Sequence, residues 1–523
     1  MINKKLLTVG SGLAVALSVA ACNTDNLTNL NKNPNNPEDV PASTLFTAAT
    51  VDAVSRWFGG YDLRATEFVT QHLAEVQYPN EDQYTRLTGG STAGFFDNPY
   101  TLHLVDFEKA IEKGVTANQP GIYGPALTMR TLSFGYITDT WGDIPYFDAL
   151  KGDAGGSLSP KYDAQKDIYA DFFAQLDKVS KDIAAAGANA GSLGSADPIY
   201  GGDLLHWQRF ANSLRARYAL RLVNKDPTTT NTQLAAAFAA PGGVFQSNAD
   251  NAVFTWPGDG VYNNPWANFF STRDDNRVSI VLMNLLKSLN DPRISLYAQP
   301  SPDDGTYKGA PNALTPDAAA PYICCSSRIT AKMFPGNTAY GFFGGTGNSF
   351  PSFVMTYAEV ALTQAEAANR SLGGLNPAQA AGFYDAGVTA SIEQWGGTAA
   401  GAAAYLAQPN VAYVAGTPGL IRIAQQKWIA LFSDGGQAWA EWRRTCVPYT
   451  VSPGPAASRA NIPRRFQYST TERSVNGTNL NAAIAQQGSD TFETRMYWDT
   501  APTAAPTYPT TFTCGLRGSA PAP

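Results

Sequence analysis

The apolar residues of this chain recur mainly at helical spacing. Over residues 163–186 the large apolar side chains stand three or four positions apart, which places on one helix face Ile168, Phe172, Leu176, Val179 and Ile183. The ranges 203–223, 353–369 and 421–432 follow the same spacing, and the last breaks near Gly435 before it resumes through Trp442. We therefore predict at least eight helices and a mainly α fold.

The connections between the predicted helices are long. Four of them, around 78–100, 251–275, 298–350 and 446–480, exceed the roughly two to eight residues that commonly join helices. The range 353–369 is rich in alanine, and small side chains let a second helix approach closely, which indicates paired helices. Long loops on a rigid scaffold commonly carry function, so we look for a site there.

The first 21 residues have the layout of a secretory signal peptide. Lys4 and Lys5 precede an apolar run that ends in small residues, and this run is shorter than the roughly 20 residues of a membrane span. Residues 19–22, VAAC, resemble the lipobox of bacterial lipoproteins, in which the cysteine is lipidated and becomes the mature N-terminus. We therefore predict a signal peptide over 1–21 and lipidation of Cys22.

Composition divides the rest of the chain into three parts. Residues 22–41 are rich in Asn, Asp, Thr and Pro and hold few large apolar residues, so we predict a lipidated flexible tether. Residues 42–499 are predicted to form a single large helical domain. Residues 500–523 are a tail rich in Pro, Thr and Ala, which we expect to be loosely ordered unless Cys514 pins it.

The surface chemistry suits a neutral polar ligand. Only 15% of the residues are charged, against roughly 25% in an ordinary soluble chain, while Asn, Gln, Thr, Ser and Tyr carry much of the polarity. The net charge is -6, and the sequence contains no cluster of Lys and Arg that would neutralise phosphates. These features argue against nucleic acid as a partner.

Neither a cofactor nor a metal site is predicted. Four cysteines follow Cys22, an even number that suits disulfides in an oxidising compartment, and the sequence leaves open the pairing of Cys324, Cys325, Cys446 and Cys514. The histidines stand far from these cysteines in the sequence, which disfavours zinc.

The sequence also lacks a recognisable catalytic motif. It contains no GxSxG elbow and no HExxH motif, and the glycine-rich stretch 341–347 lacks the Lys and Ser/Thr of a phosphate-binding loop. A pair of carboxylates for glycoside hydrolysis stays open, because the spacing that such a pair needs is spatial. We therefore expect a protein that is not an enzyme.

The main candidate for ligand binding is the stretch 254–275. Carbohydrate binding calls for exposed aromatic faces that stack on sugar rings, with amides or charged groups nearby for the hydroxyls. No helical or alternating period explains the aromatic residues of this stretch. The predicted ligand-binding residues are Trp256, Tyr262, Asn263, Trp266, Asn268, Phe269 and Arg273, with Tyr78, Tyr84 and Phe342 added from the weaker candidate stretches 78–98 and 341–348. The alternative is that two or three of these aromatic residues only pack the loop onto the body.

A second group of large side chains is interpreted as structural. An indole within a helical segment packs more often than it binds, and on this ground we expect burial of Trp141, Trp207, Trp428, Trp439 and Trp442. The WRR run at 442–444 and the PRR run at 463–465 are assigned to ion pairs with acids such as Glu441 and Glu472.

Ten segments occur in an order that is specific for one protein family. They are NKNPNNP (31–37), TDTWGDIPYFDAL (138–150), YDAQKDIYADFFAQLD (162–177), WQRFANSLRARYALRL (207–222), DPRI (291–294), MTYAEVALTQAEAANR (355–370), YDAGVTASIEQWG (384–396), QKWIALFSDGGQAWAEWRRT (426–445), IPRRFQY (462–468) and YWD (497–499). In these segments the chain resembles the SusD/RagB family of outer-membrane nutrient-binding lipoproteins, especially its second SusD-like branch. The tail beyond YWD departs from the family pattern.

The resemblance implies a fold and a partner. The fold is a helical body with tetratricopeptide-like helix pairs and long irregular loops on one side. The partner is a SusC-like TonB-dependent barrel, over which the lipoprotein sits as a lid, and the implied location is the outer membrane, lipid-anchored and facing the cell exterior. Members of the family bind glycans in many cases and peptides in others.

Our first hypothesis is a non-catalytic surface lipoprotein that binds a nutrient, preferably an oligosaccharide, and delivers it to the barrel. One alternative is a peptide-binding receptor of the same type of transporter. Two others come from different classes: a surface glycoside hydrolase, which would depend on a single acidic residue for product release, and a purely structural surface protein.

Overall fold

The computed structural model describes residues 39–334 and 347–500 together with Cys514. Contacts divide the chain into two units, 1–41 and 42–523, and every helix and strand named below belongs to the second. The predicted signal peptide 1–21 and the predicted lipidation residue Cys22 lie outside the described residues. The same holds for most of the predicted tether 22–41 and, apart from Thr500 and Cys514, for the predicted tail.

Helices predominate along the described residues. In the first half they are α1 (Ala42–Ser55), a π-helical segment (Arg56–Thr66), α2 (Glu67–Val69), α3 (Ala93–Thr101), α4 (His103–Thr116), α5 (Pro120–Trp141), α6 (Gln165–Ala186), α7 (Leu204–Arg221) and α8 (Pro227–Ala239). In the second half they are α9 (Pro265–Phe270), α10 (Ile280–Ser288), α11 (Ile294–Tyr297), α12 (Pro316–Cys325), α13 (Tyr357–Asn369), α14 (Ala380–Gln394), α15 (Ala399–Leu406), α16 (Thr417–Ala430), α17 (Gly435–Thr445), α18 (Thr470–Val475) and α19 (Gly477–Gln487). None of the helices within the described ranges is long and apolar enough to span a membrane.

Short strands tie the loops together in pairs. They are β1 (Leu73–Glu75), β2 (Ile144–Pro145), β3 (Tyr162–Asp163), β4 (Ala252–Phe254), β5 (Asn276–Val278) and β6 (Ser352–Met355). All pairs are antiparallel: β1 lies beside β5, β2 beside β3, and β4 beside β6. Two of these pairs, β1 with β5 and β4 with β6, join parts of the chain that are far apart in the sequence.

Helices that follow each other in the sequence pack side by side. This holds for α4 through α8 in the first half and for α13 through α15 in the second. In the second half, α16 also packs against α13. Stacked pairs of consecutive helices are the arrangement of tetratricopeptide-like units. The predicted fold class, mainly α with tetratricopeptide-like helix pairs, is therefore confirmed.

The predicted apolar stripe forms the buried face of α6. Its five apolar residues all have at most 4% of their surface exposed. Close helix contacts elsewhere depend on glycine: a Cβ at Gly387 of α14 would lie 2.7 Å from the Leu362 Cγ of α13. The absence of a side chain at Gly387 therefore lets α13 and α14 touch.

One predicted helix boundary differs from the structure, and one predicted break is confirmed. The range 353–369 begins as strand β6 and becomes helical only at Tyr357, because β6 pairs with β4 and the Thr356 side chain then caps α13. The predicted break near Gly435 is confirmed, because α16 ends at Ala430 and α17 begins at Gly435. A Cβ at Gly435 would lie 2.7 Å from the backbone nitrogen of Glu67, so glycine lets the start of α17 pack against α2.

The side chains interpreted as structural are buried. All five tryptophans of that group are 0% exposed. In the WRR run, Arg444 donates hydrogen bonds to Glu366 of α13 and to Glu441 of α17, which confirms the predicted role of Glu441. A buried ion-pair network thus joins α13 to α17.

The predicted role of Glu472 is wrong. Arg464 pairs with Asp499 and Arg465 pairs with Asp490. The Glu472 carboxylate accepts instead from the Tyr162 hydroxyl, at 2.8 Å. Glu472 lies near the PRR run in the sequence, but the acids that the fold brings to these arginines come from the chain after α19.

Two disulfides resolve the pairing that the sequence leaves open. One joins Cys446, at the end of α17, to Cys514 of the tail, and the other joins the neighbours Cys324 and Cys325. Cys446 is 0% exposed, whereas Cys324 is exposed. The Cys446–Cys514 bond attaches the tail to the helical body.

Candidate ligand-binding surface

The strand pair β1–β5 brings together two of the three predicted ligand-binding stretches. Glu75, at the end of β1, stands opposite Asn276, at the start of β5. Because the strands are antiparallel, the chain after β1 and the chain before β5 leave the pair at the same end. The Val76 N–H donates to the Asp275 carbonyl at 2.8 Å. The start of the stretch 78–98 therefore lies beside the end of the stretch 254–275.

The described end of the third stretch contacts the middle of the stretch 254–275. The Asn264 N–H donates to the Asn348 carbonyl at 2.8 Å, and the Asn264 side chain donates to the Phe350 carbonyl at 2.9 Å. Residues 335–346, which include the predicted site residue Phe342, lie outside the described residues. The chain that follows them is thus bonded directly to the stretch 254–275.

The π-helical segment positions α9, the short helix within the main candidate stretch. The Trp266 indole N–H donates to the Phe58 carbonyl at 2.9 Å. A Cβ at Gly59 would lie 2.5 Å from the Pro265 Cβ, so glycine at this position lets α9 approach. Helices of π type are rare and often occur at functional sites. Here the segment holds the helix that carries Phe269.

Three predicted ligand-binding residues belong to the core, and their assignment is corrected. Trp256, Trp266 and Tyr84 have only 3%, 1% and 1% of their surface exposed. The Trp256 indole donates to the Ser352 hydroxyl at 2.9 Å, so both tryptophans find their hydrogen-bond partners inside the protein. A buried ring with a satisfied N–H serves packing and offers no face to a ligand.

Tyr262 projects into solvent from an ordered turn. It is 50% exposed, and its neighbour Val261 is 75% exposed. The Asp259 carboxylate accepts from the N–H groups of Tyr262, at 2.8 Å, and Val261, at 2.9 Å, and these bonds lower the pKa of Asp259. The Gly258 N–H closes the turn on the Tyr262 carbonyl at 2.9 Å. The aromatic ring is therefore presented on a backbone that is already ordered.

Two guanidinium groups lie over the ring of Phe269. The guanidinium carbon of Arg273 is 4.5 Å from the ring centroid, and that of Arg64 in the π-helical segment is 5.8 Å away. Arg273 also pairs with the buried carboxylate of Asp275. A guanidinium over a ring is attracted to its face and keeps N–H groups at its edge. The half-buried Phe269 ring is thus partly covered by guanidinium groups, which place hydrogen-bond donors next to it.

Amide groups stand beside these rings. The Asn263 side chain donates to the Asn268 side-chain oxygen at 3.1 Å and accepts from the Gly260 N–H at 3.0 Å. Asn268 is exposed, so its amide N–H groups face solvent. We name as the loop surface the residues Arg64, Tyr262, Asn263, Asn268, Phe269 and Arg273.

Tyr78 stands on the adjoining stretch, after β1. It is 70% exposed and has a φ of 54°, in the left-handed region that a tyrosine seldom adopts. The exposed ring is available to a ligand, in contrast to that of Tyr84 on the same stretch. Tyr78 therefore stays a predicted ligand-binding residue.

The sequence analysis did not identify Arg64 or Val261. Arg64 meets Phe269 only because the π-helical segment packs against α9, and no local pattern around residue 64 indicates this contact. Val261 is aliphatic and fell outside a search for aromatic residues. Its place between Gly260 and Tyr262, in a turn rich in Gly and Asn, is the one signal that could have indicated exposure.

Carboxylates are buried next to the β1–β5 pair. Burial, together with the charges of Glu81 and Asp82, raises the pKa of Glu75 to about 10. Burial also raises the pKa of Asp82 to about 7, although this carboxylate accepts hydrogen bonds from the Asn312 side chain and the Ala313 N–H. Across the described residues, no group of three or more His, Cys, Asp or Glu is arranged to hold a metal ion. Because its pKa is raised to about 10, Glu75 holds a proton at neutral pH.

This proton makes stability depend on pH. The pKa of Glu75 is about 10 in the folded protein and about 4.3 in an unfolded chain, so between these values the folded protein binds a proton that the unfolded chain has lost. Stability then falls as the pH rises through this window. We expect the melting temperature to fall less between pH 6 and pH 9 in a Glu75→Gln variant than in the parent protein, as measured by differential scanning calorimetry.

The exposed Glu112 provides the control for that experiment. A Glu112→Gln variant removes one carboxylate and should keep the pH dependence of the parent protein. A Glu75→Gln variant whose melting temperature falls as steeply as that of Glu112→Gln would contradict the assignment of the proton to Glu75.

Comparison with known proteins places this fold in a family. A family model of SusD-like proteins, described as starch-binding and associating with the outer membrane, matches residues 34–469. A solved chitin-binding protein is 25% identical, with a TM-score of 0.74, over 88% of this chain and 100% of its own. A search among curated proteins finds no match.

Other solved structures share the fold. A chitin-binding SusD homolog from Flavobacterium johnsoniae is 24% identical, with a TM-score of 0.71, over 88% of this chain and 99% of its own. A SusD-like protein from Bacteroides thetaiotaomicron is 24% identical, with a TM-score of 0.73, over the same shares of the two chains. Since the family model covers well over half of the sequence, this chain belongs to the SusD-like family, described as starch-binding and associating with the outer membrane.

Proposed function

We propose that this protein is a non-catalytic outer-membrane lipoprotein that binds an oligosaccharide at the loop surface and delivers it to a SusC-like TonB-dependent barrel. The observation that carries the proposal is the exposed Tyr262 on its ordered turn, in the same stretch as Phe269 with its flanking arginines. Sugar rings present an apolar face and a rim of hydroxyls. The loop surface offers the matching chemistry of an exposed aromatic ring at Tyr262 with amide and guanidinium donors in the same stretch.

The first ligands to test are chito-oligosaccharides. Two solved proteins of this fold are described as chitin-binding, and one of them is 25% identical to this chain. N-acetylated sugars combine an apolar ring face with an amide, and the exposed Asn268 amide and the guanidinium edges suit such a group. Starch oligosaccharides are the second choice, on the description of the family.

The proposal assigns no chemistry to the protein. Capturing a sugar and passing it on requires no covalent step. The buried carboxylates near β1 are held by backbone and side-chain hydrogen bonds, which suits a structural role. The membrane attachment proposed for Cys22 and the tether 22–41 would keep the binding domain beside a barrel in the same membrane.

Purification from gently solubilised native membranes tests the proposal. We expect a TonB-dependent barrel to copurify in stoichiometric amount with the tagged protein, and mass spectrometry to detect an acylated N-terminal peptide that begins at Cys22. Calorimetric titration of the purified protein with chitohexaose should give saturable binding and no shorter products.

Other outcomes separate the alternatives. Copurification of no barrel, under conditions that preserve other membrane complexes, would contradict the delivery role. Bound peptides in place of glycans would favour the peptide receptor. Release of shorter sugars, abolished by replacing one acidic residue, would make the protein a glycoside hydrolase.

A further inference from the structure

Two neighbouring cysteines form a disulfide close to β5. Cys324 and Cys325 stand at the end of α12, and the bond between them closes a small ring that includes their shared peptide bond. This ring restricts the backbone of both residues. Cys324 is an exposed residue, and disulfides at exposed positions are the ones that exchange with thiols.

The chain on both sides of this disulfide is bonded to β5. Before it, the Ile323 carbonyl accepts from the Arg277 guanidinium at 2.5 Å. After it, the Ser327 carbonyl accepts from the Val278 N–H at 3.0 Å. The disulfide ring therefore lies between two attachments to neighbouring residues of a single strand.

The same contacts continue to the loop surface. Asp274 pairs with Arg277 at 3.0 Å and with Arg328 at 2.5 Å, so it is held by β5 and by the segment that follows the disulfide. The next residue, Asp275, pairs with Arg273, which lies over Phe269. A change in the segment 323–328 thus reaches Arg273 through two adjacent carboxylates.

We propose that Cys324–Cys325 is a thiol–disulfide exchange site whose oxidised form holds Asp274 and Arg273 in place at the loop surface. The thiolate of an external thiol attacks one sulfur, the bond between the two cysteines breaks, and a mixed disulfide forms. A second external thiol resolves it and leaves as part of an external disulfide. The two cysteines gain two electrons and two protons, which the two external thiols supply.

Reduction opens the ring and restores rotation around the backbone of residues 324 and 325. Ile323 and Ser327 then lose the constraint that favours their bonds to β5, and Asp274 loses its fixed neighbour Arg328. The structural step does not depend on what the loop surface binds. The expected loss of ligand affinity on reduction does rest on the proposed function.

Differential alkylation of the full-length mature protein tests the exchange site. Dithiothreitol is titrated under native conditions, and free thiols are alkylated and located by mass spectrometry. We expect labelling of Cys324 and Cys325 at a concentration that leaves the buried Cys446 paired with Cys514. Reduction of the Cys446–Cys514 bond first, or of both bonds together, would overturn the proposal.

Hydrogen exchange tests the structural consequence. We expect the Val278 amide to exchange at least about threefold faster after reduction, and to return to its original rate on reoxidation, because its partner Ser327 is released. A Cys324→Ser and Cys325→Ser double variant should match the reduced protein and be insensitive to dithiothreitol. Peptides from α6 provide the internal control and should not change.

The outcomes distinguish this inference from the proposed function. Unchanged exchange at Val278 after complete reduction, or a double variant that behaves like the oxidised protein, would overturn the inference whatever the ligand is. Faster exchange at Val278 without weaker binding of chitohexaose would support the exchange site and contradict the placing of the ligand at the loop surface.

Discussion

A Tyr262→Ala variant is expected to bind chitohexaose about tenfold more weakly than the parent protein, a loss of about 1.4 kcal/mol of binding free energy. The ring is half exposed, and its turn is ordered by the Asp259 carboxylate and the Gly258 N–H. A ligand that stacks on this ring therefore buries apolar surface without ordering the loop first, which keeps the entropic cost low. Isothermal titration calorimetry measures the change.

Two variants separate ring stacking from a change in the loop. Tyr262→Phe keeps the aromatic face and should keep most of the affinity. Phe147→Ala removes a ring that is 39% exposed on the chain between β2 and β3, outside the loop surface, and should bind like the parent protein. Equal affinity of Tyr262→Ala and the parent protein would remove Tyr262 from the site. Equal losses in Tyr262→Ala and Phe147→Ala would point to a general change in the protein.

The helices could be predicted from the sequence because their signal is local. In α6 the apolar residues repeat within a single element, and the repeat itself determines which side is buried. The start of α13 was misplaced for the opposite reason. Residues 352–355 form a strand only because β4, distant in the sequence, pairs with them.

The candidate site was predicted as a region and only partly by residue. The stretch 254–275 does carry exposed aromatic and amide groups, but exposure differs between residues of similar type. Trp266 packs against Phe270 and Phe432 and donates its N–H to the Phe58 carbonyl, while Tyr262 projects from its turn. Partners that are distant in the sequence decide which ring packs, and composition does not record them. The same reasoning explains the wrong assignment of Glu472.

The buried ion-pair network between α13 and α17 leads to the largest expected effect on stability. Arg444 donates to both oxygens of Glu366, at 2.7 Å each, and to Glu441 at 2.6 Å, and these side chains are 1% to 4% exposed. Burial raises the pKa of Glu366, but Arg444 and Arg370 outweigh burial and lower it to about 2. The carboxylate is therefore charged inside the protein and depends on its arginines.

Arg444→Ala is expected to lower the free energy of unfolding by about 3–5 kcal/mol, because it leaves two buried carboxylates short of their main partner. Lys181→Ala is the matched control. Its pair with Asp177 is also 2.7 Å long, but the lysine side chain is 64% exposed, and such surface pairs contribute at most about 1 kcal/mol. Urea titrations of both variants, followed by tryptophan fluorescence, measure the difference. Similar losses in the two variants would mean that the buried network contributes no more to stability than a surface pair does.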